Sequence, residues 1–325
     1  MTVFNLASQF TMIELAKMMA NGNVVDVINV LATSRHFYED AVWIQANQTA
    51  SHVGSRVTNE PTSSLRQANQ GVAATTGTSR QVSEPICRRE SRNEIDEAIL
   101  DLVPAGQKNE VRTQKDKLHV SSMTKDVESD FFYQDIDTTP EGIDGLSIRY
   151  DALSDDYVYG CGGTGDDTTS LWIVEWGPDA VYMTYPQGSQ IGIQMNDKGL
   201  ERVTDSGGTN EYYAWVTQFV FWYGLFVSDD RCVQRIANIE TAGAENTLDD
   251  DLIIEALNQG RINENEASKR IYVNRTLKTQ LDIMAKDKAN VNYSPMNAFG
   301  ENVVGFRGVP IRLAEQLVNT ETAIT

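Results

Sequence analysis

Apolar residues recur at helical spacing early in the chain. Met12, Leu15, Met18 and Met19 share one face of Thr11–Ala20, and Asn21-Gly22-Asn23 ends that run. Val24, Val27, Ile28 and Leu31 predict a second short helix, and Thr33-Ser34 predict a cap for a third turn through Phe37. Ile95, Ala98, Ile99 and Leu102 form another stripe, closed by Pro104-Ala105-Gly106. From Lys108 to about Phe132 the chain is polar and lacks Gly and Pro. Val120, Met123, Val127 and Phe131 give this stretch a narrow apolar seam, which predicts one long amphipathic helix.

The pattern then changes. Thr138–Thr169 is punctuated by Pro140, Gly142, Gly145 and the Gly160–Gly165 cluster, and reads as loops. Short strands follow at Ser170–Trp176, Ala180–Tyr185 and Ile191–Gln194, separated by Gly177-Pro178-Asp179 and Pro186-Gln187-Gly188. Asp205-Ser206-Gly207-Gly208 is a turn signal leading into the uncharged, aromatic Tyr212–Ser228. A spanning helix needs about 20 apolar residues, and this run carries Thr217, Gln218 and Gly224. Its β-branched and aromatic content predicts buried or interface strand. Val233–Ile239 continues as strand, Leu248–Gln259 as a helix opened by Asp249-Asp250-Asp251, Arg270–Val273 as strand, and Thr276–Ala285 as helix. Gly305–Ile311 reads as strand and turn. Helices interleaved with antiparallel strands predict an α+β fold.

One segment fits neither period. Thr49–Glu90 is rich in Ser, Thr, Gln, Asn, Gly and Ala, with few large apolar residues and with Pro61 and Pro85. It carries Arg56, Arg66, Arg80, Arg88 and Arg89 in an otherwise acidic chain. A polar stretch this long does not belong inside a compact domain. Disorder, or an extended β-hairpin lying on a neighbouring molecule, would account for it. Alternation over His52–Val57 and near Gln81-Val82 favours the hairpin.

Composition sharpens this picture. The 325 residues allow two or three lobes, and a hydrophobic fraction of 41% fits a chain of which part is extended. The net charge of −19 repels phosphate and excludes a general nucleic-acid binder. Cys87, Cys161 and Cys232 are scattered, with no CxxC pair, and suit reduced intracellular thiols. Met1–Phe10 has no basic start and no long apolar core, so no signal peptide is predicted, and the Asn-x-Ser/Thr triplets at Asn47, Asn274 and Asn292 then carry no meaning.

Candidate chemistry is sparse. Gly160-Cys161-Gly162-Gly163-Thr164-Gly165 matches GxGxxG, but a strand is predicted after it where a nucleotide site needs a helix. Asp135, Asp137, Glu141 and Asp144 resemble a loose calcium loop, with Pro140 at the position that requires glycine. His36, His52 and His119 share no metal-ligand spacing, and HExxH, GxSxG and Walker motifs do not occur. The pairs Asp155-Asp156, Asp166-Asp167 and Asp229-Asp230 flank predicted turns and read as solvated charge. Trp172, Trp176, Trp215 and Trp222 read as core fill before interface anchors. No catalytic residue, metal site or cofactor is expected.

Two stretches carry a resemblance. They are Thr169–Val181 with Tyr185-Pro186-Gln187-Gly188-Ser189, and Gly224–Arg231 ending in Arg235-Ile236-Ala237-Asn238-Ile239. Together they resemble the central block of major capsid proteins of short-tailed double-stranded DNA phages. Val273-Asn274-Arg275-Thr276 and Phe306–Arg312 fit as well, and the match is collinear from about residue 12 to 315. The resemblance implies the Hong Kong 97-type capsid fold. Residues 1–48 would be the N-terminal arm, 49–90 the extended hairpin called the E-loop, and 91–150 the P-domain with its spine helix at about 108–132. Residues 151–315 would hold the A-domain and the rest of the P-domain, and 316–325 a C-terminal tail.

It also implies a non-enzymatic structural protein of the virion, assembled in the host cytoplasm as hexamers and pentamers into an icosahedral head. That head would enclose double-stranded DNA without binding it specifically, and no membrane is involved. The expected partners are copies of itself, a separate scaffolding protein, a portal and a possible cement protein. The separate scaffold is expected because the chain begins close to its first helix. Arg56, Arg66, Arg80, Arg88 and Arg89 are candidate inter-subunit contacts. No lysine lies between Lys17 and Lys108, so the lysine–asparagine cross-link of some members of the fold is not expected. The rival readings are a minor or decoration capsid component, and a hydrolase using the acidic loops.

Overall fold

The computed structural model describes residues 19–20, 23–24, 35–205, 207–243, 245–261, 268–287, 293–298 and 301–325. In chain order the elements are β1 (Met19–Ala20), β2 (Asn23–Val24), α1 (Arg35–Asp40), β3 (Trp43–Gln45), β4 (Ser51–Asn59), β5 (Thr78–Pro85) and β6 (Cys87–Asp96). Then come α2 (Glu97–Asp101), α3 (Lys108–Tyr133), α4 (Leu146–Arg149), β7 (Val158–Gly160), β8 (Thr168–Glu175), β9 (Val181–Tyr185), β10 (Gln194–Thr204) and β11 (Glu211–Val227). The last are β12 (Val233–Glu240), α5 (Asp250–Gln259), β13 (Lys269–Val273), α6 (Arg275–Asp287), β14 (Tyr293–Ala298), β15 (Glu301–Phe306) and β16 (Val309–Leu313).

The chain divides into two compact units. The first holds Met1–Thr33, Arg88–Val127 and Ile191–Trp222, and the second the remainder. Both α3 and β11 begin in the first unit and end in the second.

In the first unit, β11 pairs antiparallel with β10 and also pairs with β6. Ile95, Ile99, Leu100, Val103 and Val111 form its core, with Trp215 against them. The seam of α3 buries Met123 and Val127 here. The ring of His119 stacks on Phe219 at 5.9 Å and its Nδ1 meets the Ser91 hydroxyl at 2.7 Å.

The second unit is built on a seven-stranded sheet of order β14-β15-β16-β13-β8-β12-β7. β8 is central and all eight of its residues are buried. Side chains alternate across a strand. Leu171 and Ile173 therefore join Ile236, Ile239 and Ile271 under α5 and α6, which contribute Ile253, Leu257, Leu277 and Leu281. On the opposite face, Trp172 meets Phe132 and Tyr150, and Trp176 stacks on Phe131 and donates to the Tyr272 hydroxyl at 2.8 Å. In the same unit β11 pairs with β9, and β9 pairs parallel with β3.

Several expectations are corrected. The helices predicted over Thr11–Ala20 and from Val24 to Leu31 lie largely outside the described residues. Where described, Met19–Ala20 and Asn23–Val24 are short antiparallel paired strands. The helix predicted from Ile95 begins after it, because the Asp96 side chain caps the element by accepting from Ala98 N at 2.9 Å. Ile95 is a buried strand residue and Leu102 is exposed. The strand predicted at Ile191–Gln194 is instead β10, an edge strand whose polar run through Lys198, Glu201 and Arg202 hides its period. Residues 316–325, expected as a tail, are pinned to the sheet: Thr168 and Glu321 form a β-bridge, and Asn238 exchanges side-chain hydrogen bonds with the backbone of Ile324.

Candidate functional site: the extended hairpin and its anchor

β4 and β5 form an antiparallel pair running from Ser51 opposite Pro85 to Asn59 opposite Thr78. Beyond it, residues 60–77 are exposed throughout and contain no regular element. They keep local order of their own. Arg66 Nε donates to the Gln70 carbonyl at 2.7 Å, and the Thr75 hydroxyl to the Thr62 carbonyl at 2.8 Å. Leu65 is fully exposed, and Val57 and Val72 are exposed as well. An isolated two-stranded ribbon is marginal in water, so this arm depends on its root and on whatever covers it.

The root is densely anchored within the second unit. Glu84 on β5 is buried and accepts from both terminal nitrogens of Arg149, each at 2.7 Å. Burial pulls the Arg149 guanidinium down, but the hydrogen bonds and charge of Glu84 more than offset this and leave it raised. Opposite Glu84, His52 Nε2 meets the Tyr182 hydroxyl at 2.9 Å while its ring sits edge-on to Phe226. Burial lowers the His52 pKa, which favours neutral imidazole. Gly54 lies against Phe226 so closely that a Cβ there would come within 2.2 Å of the ring. Arg56 donates to Asp230 Oδ1 at 3.0 Å and to the Val227 carbonyl.

The five arginines singled out in the sequence therefore separate. Arg56 is engaged by its own subunit. Arg66 and Arg80 are exposed on the arm. Arg88 and Arg89 lie on β6 in the first unit, where Arg88 pairs with Glu90 at 2.9 Å and covers the Trp222 ring, and Arg89 pairs with Asp126 at 3.4 Å. Sequence reading missed Glu84, Arg149 and Gly54, and took Asp230 for solvated charge. Only Gly54, a glycine inside an alternating strand, carried a signal of close approach.

The other candidates resolve into structure. The glycine-rich loop runs from β7 into β8 with no helix following it, and folds back so that Gly163 N donates to the Asn238 carbonyl at 2.9 Å. Asp135 accepts from the Thr138 hydroxyl and Asp137 N, both at 2.8 Å, and these bonds hold its carboxyl below the usual range. Asp249, Asp250 and Asp251 lie within 4.8 Å of one another, and Asp249 caps α5 by accepting from Asp251 N. Burial pushes the Cys161 and Cys232 thiols up to about 11, which keeps them protonated. The polar cleft beside the root, about 400 Å³, is lined by Arg56, Arg149, Tyr150, Asp155, Asp156, Tyr157 and Asp230, without histidine, serine or cysteine. Among the described residues no helix is long and apolar enough to cross a membrane.

The chain is similar to several known structures. A chain of the bacteriophage Epsilon15 structure is 21% identical, with 100% of each chain covered and a TM-score of 0.74. The bacteriophage JBD30 capsid aligns over 94% of this chain and 98% of its own at 9% identity and a TM-score of 0.49. The SrpI encapsulin complex from Synechococcus elongatus PCC 7942 aligns over 75% and 99% at 10% identity, also at 0.49. No curated protein sequence matches the chain. The fold is the α+β Hong Kong 97-type capsid fold. Residues 19–325 match the model of the family described as Major capsid protein GP7, and the chain belongs to that family. It is a structural protein of the phage head, and its place is the capsid of the virion.

Proposed function

We propose that this chain forms the main icosahedral shell as hexamers and pentamers, with its β4–β5 arm as the E-loop that lies on a neighbouring copy. The observation that carries this is the arm itself: residues 57–77 are exposed, while the root is fixed by Glu84–Arg149 and Arg56–Asp230. Within the division into N-terminal arm, E-loop, P-domain and A-domain, α3 is the spine helix. Shell building is non-catalytic in this reading. Many weak contacts repeated by symmetry supply the cooperativity. The acidic balance keeps packed double-stranded DNA from adhering to the wall. Subunits assemble in the host cytoplasm with a separate scaffolding protein and a portal. With no lysine on the arm, the shell is held without arm-lysine cross-links.

Electron microscopy and sedimentation of the expressed chain, with and without the other head proteins of its phage, test this reading. Closed shells or hexameric and pentameric rings are the expected result. A monodisperse monomer under every condition would overturn it. A ladder of covalent multimers on a denaturing gel of mature heads would overturn the non-covalent shell.

A further inference from the structure

The arm is a lever. From Arg56 to Leu65 it can reach roughly 30 Å at about 3.3 Å per residue. A wobble of about 10° at its root would then displace the tip by about 5 Å, far more than any hydrogen-bonded or packed contact tolerates. A second copy can meet such a tip at a defined place only if something fixes the root.

The structure supplies that fixation from both strands and at three points. β5 gives Glu84, gripped by the planar fork of Arg149 at the end of α4, with two bonds of 2.7 Å and little exposure on either side chain. Arg149 is itself oriented by donating Nε to the Asp144 carbonyl at 2.9 Å. β4 gives Arg56, tied to Asp230 in the turn after β11, and His52, held by Tyr182 on β9. Gly54 closes the arrangement, since it lets the strand sit directly on the Phe226 ring. A bidentate guanidinium–carboxylate pair resists rotation as well as separation.

We propose that Glu84–Arg149, with Arg56–Asp230 beside it, is a mount that sets the arm's angle in the free subunit, and that uniform head size depends on that angle. The partner is a second copy of this chain, and the inference rests on the shell-building reading above. Glu84, Arg149 and Asp230 act as positioning residues. Acting through the root, they determine where Leu65, Arg66 and Val72 are presented.

The test measures the arm directly. Spin labels at Gln67→Cys and Lys278→Cys, both exposed positions, report the tip-to-body distance by pulsed electron resonance once Cys161 is replaced by serine. The parent subunit should give one narrow distribution. Arg149→Lys keeps the charge but loses the fork, and should at least double the width. Glu84→Gln should broaden it further, and Asp230→Ala less. Heads formed by the same variants with the other head proteins of the phage should have mixed diameters. Equal widths in parent and variants would overturn the mount. Broadened arms with heads of uniform normal size would overturn the link to head size. If Glu84→Gln does not fold, Arg149→Lys and Asp230→Ala carry the comparison. If the parent chain forms no shells or rings at all, the shell-building reading fails, while the distances in the free subunit still decide the mount.

Discussion

β8 and the β4–β5 arm both rest on antiparallel pairing, and they obtain their stability in opposite ways. Every residue of β8 is buried, with helices over Leu171 and Ile173 and aromatic rings against Trp172. The arm buries almost nothing beyond its root and relies on a few directed polar contacts there. A strand stabilised by area tolerates little change at any position. A strand held at one end tolerates change everywhere except at that end. In the proposed shell, folding and assembly would fall to different residues, and substitutions should separate them.

The largest effect belongs next to β8. Arg235 and Glu321 are both nearly inaccessible and pair at 2.9 Å. Arg235 also donates to Ser170 at 3.0 Å and lies over Trp172, while Glu321 accepts from the Tyr133 hydroxyl at 2.6 Å. Burial, and then the Glu321 charge, push the Tyr133 hydroxyl well above its ordinary pKa, so it remains a donor. Glu321→Ala leaves a buried guanidinium without its counter-charge. We expect a loss of about 3–5 kcal/mol, read as a much lower denaturation midpoint with unchanged slope. A loss below about 1 kcal/mol would show that the last residues contribute little to the core.

At the root of the arm the effect should be smaller. Gly54→Ala drives a methyl group into Phe226, which must move or push the strand away. Overpacking of this kind costs about 1–3 kcal/mol, and thermal melting of the purified subunit measures it. Phe226→Leu in the same chain should recover part of the loss, because it removes the obstructing ring atoms.

A surface helix cap is weaker still. Asp249 has extended backbone and its side chain accepts from Asp251 N at 3.0 Å. Asp249→Ala should cost about 1 kcal/mol, and Asp249→Asn should restore most of it. No recovery by asparagine would mean that the carboxylate charge, and not the capping bond, supplies the stabilisation.

How much of this was legible follows the same divide. Elements with a strong period or clear punctuation were readable: the seam of α3, the Asp-capped α5, and the uncharged run that became β11. So was the oddity of Thr49–Glu90, because a polar stretch of that length has few explanations. The anchor was not readable. Glu84 and Arg149 lie 65 residues apart with nothing local to mark either one, and only the fold makes their charges meet. β10 was hidden because an edge strand exposed on one side needs no apolar alternation. Arg88 and Arg89 were grouped with the arm by composition, yet a strand boundary at Cys87 places them elsewhere.

The smallest expected effect on folding is also the sharpest test of the arm. Arg80 faces Arg56 across the ribbon, a like-charge pair whose inner member is already neutralised by Asp230. Arg66 donates to the Gln70 carbonyl within its own turn. Reversing both to glutamate should change subunit stability by no more than about 0.5 kcal/mol. If these arginines meet acidic surfaces on the next copy, the same reversal should abolish shells seen by electron microscopy, and salt of about 0.5 M should weaken assembly of the parent chain. Normal shells from the reversed chain would assign the neighbour contact to the exposed apolar side chains of the arm. Leu65→Asp with Val72→Asp would then be the change that blocks assembly, because a carboxylate placed where an apolar anchor must be buried costs more than a lost surface ion pair.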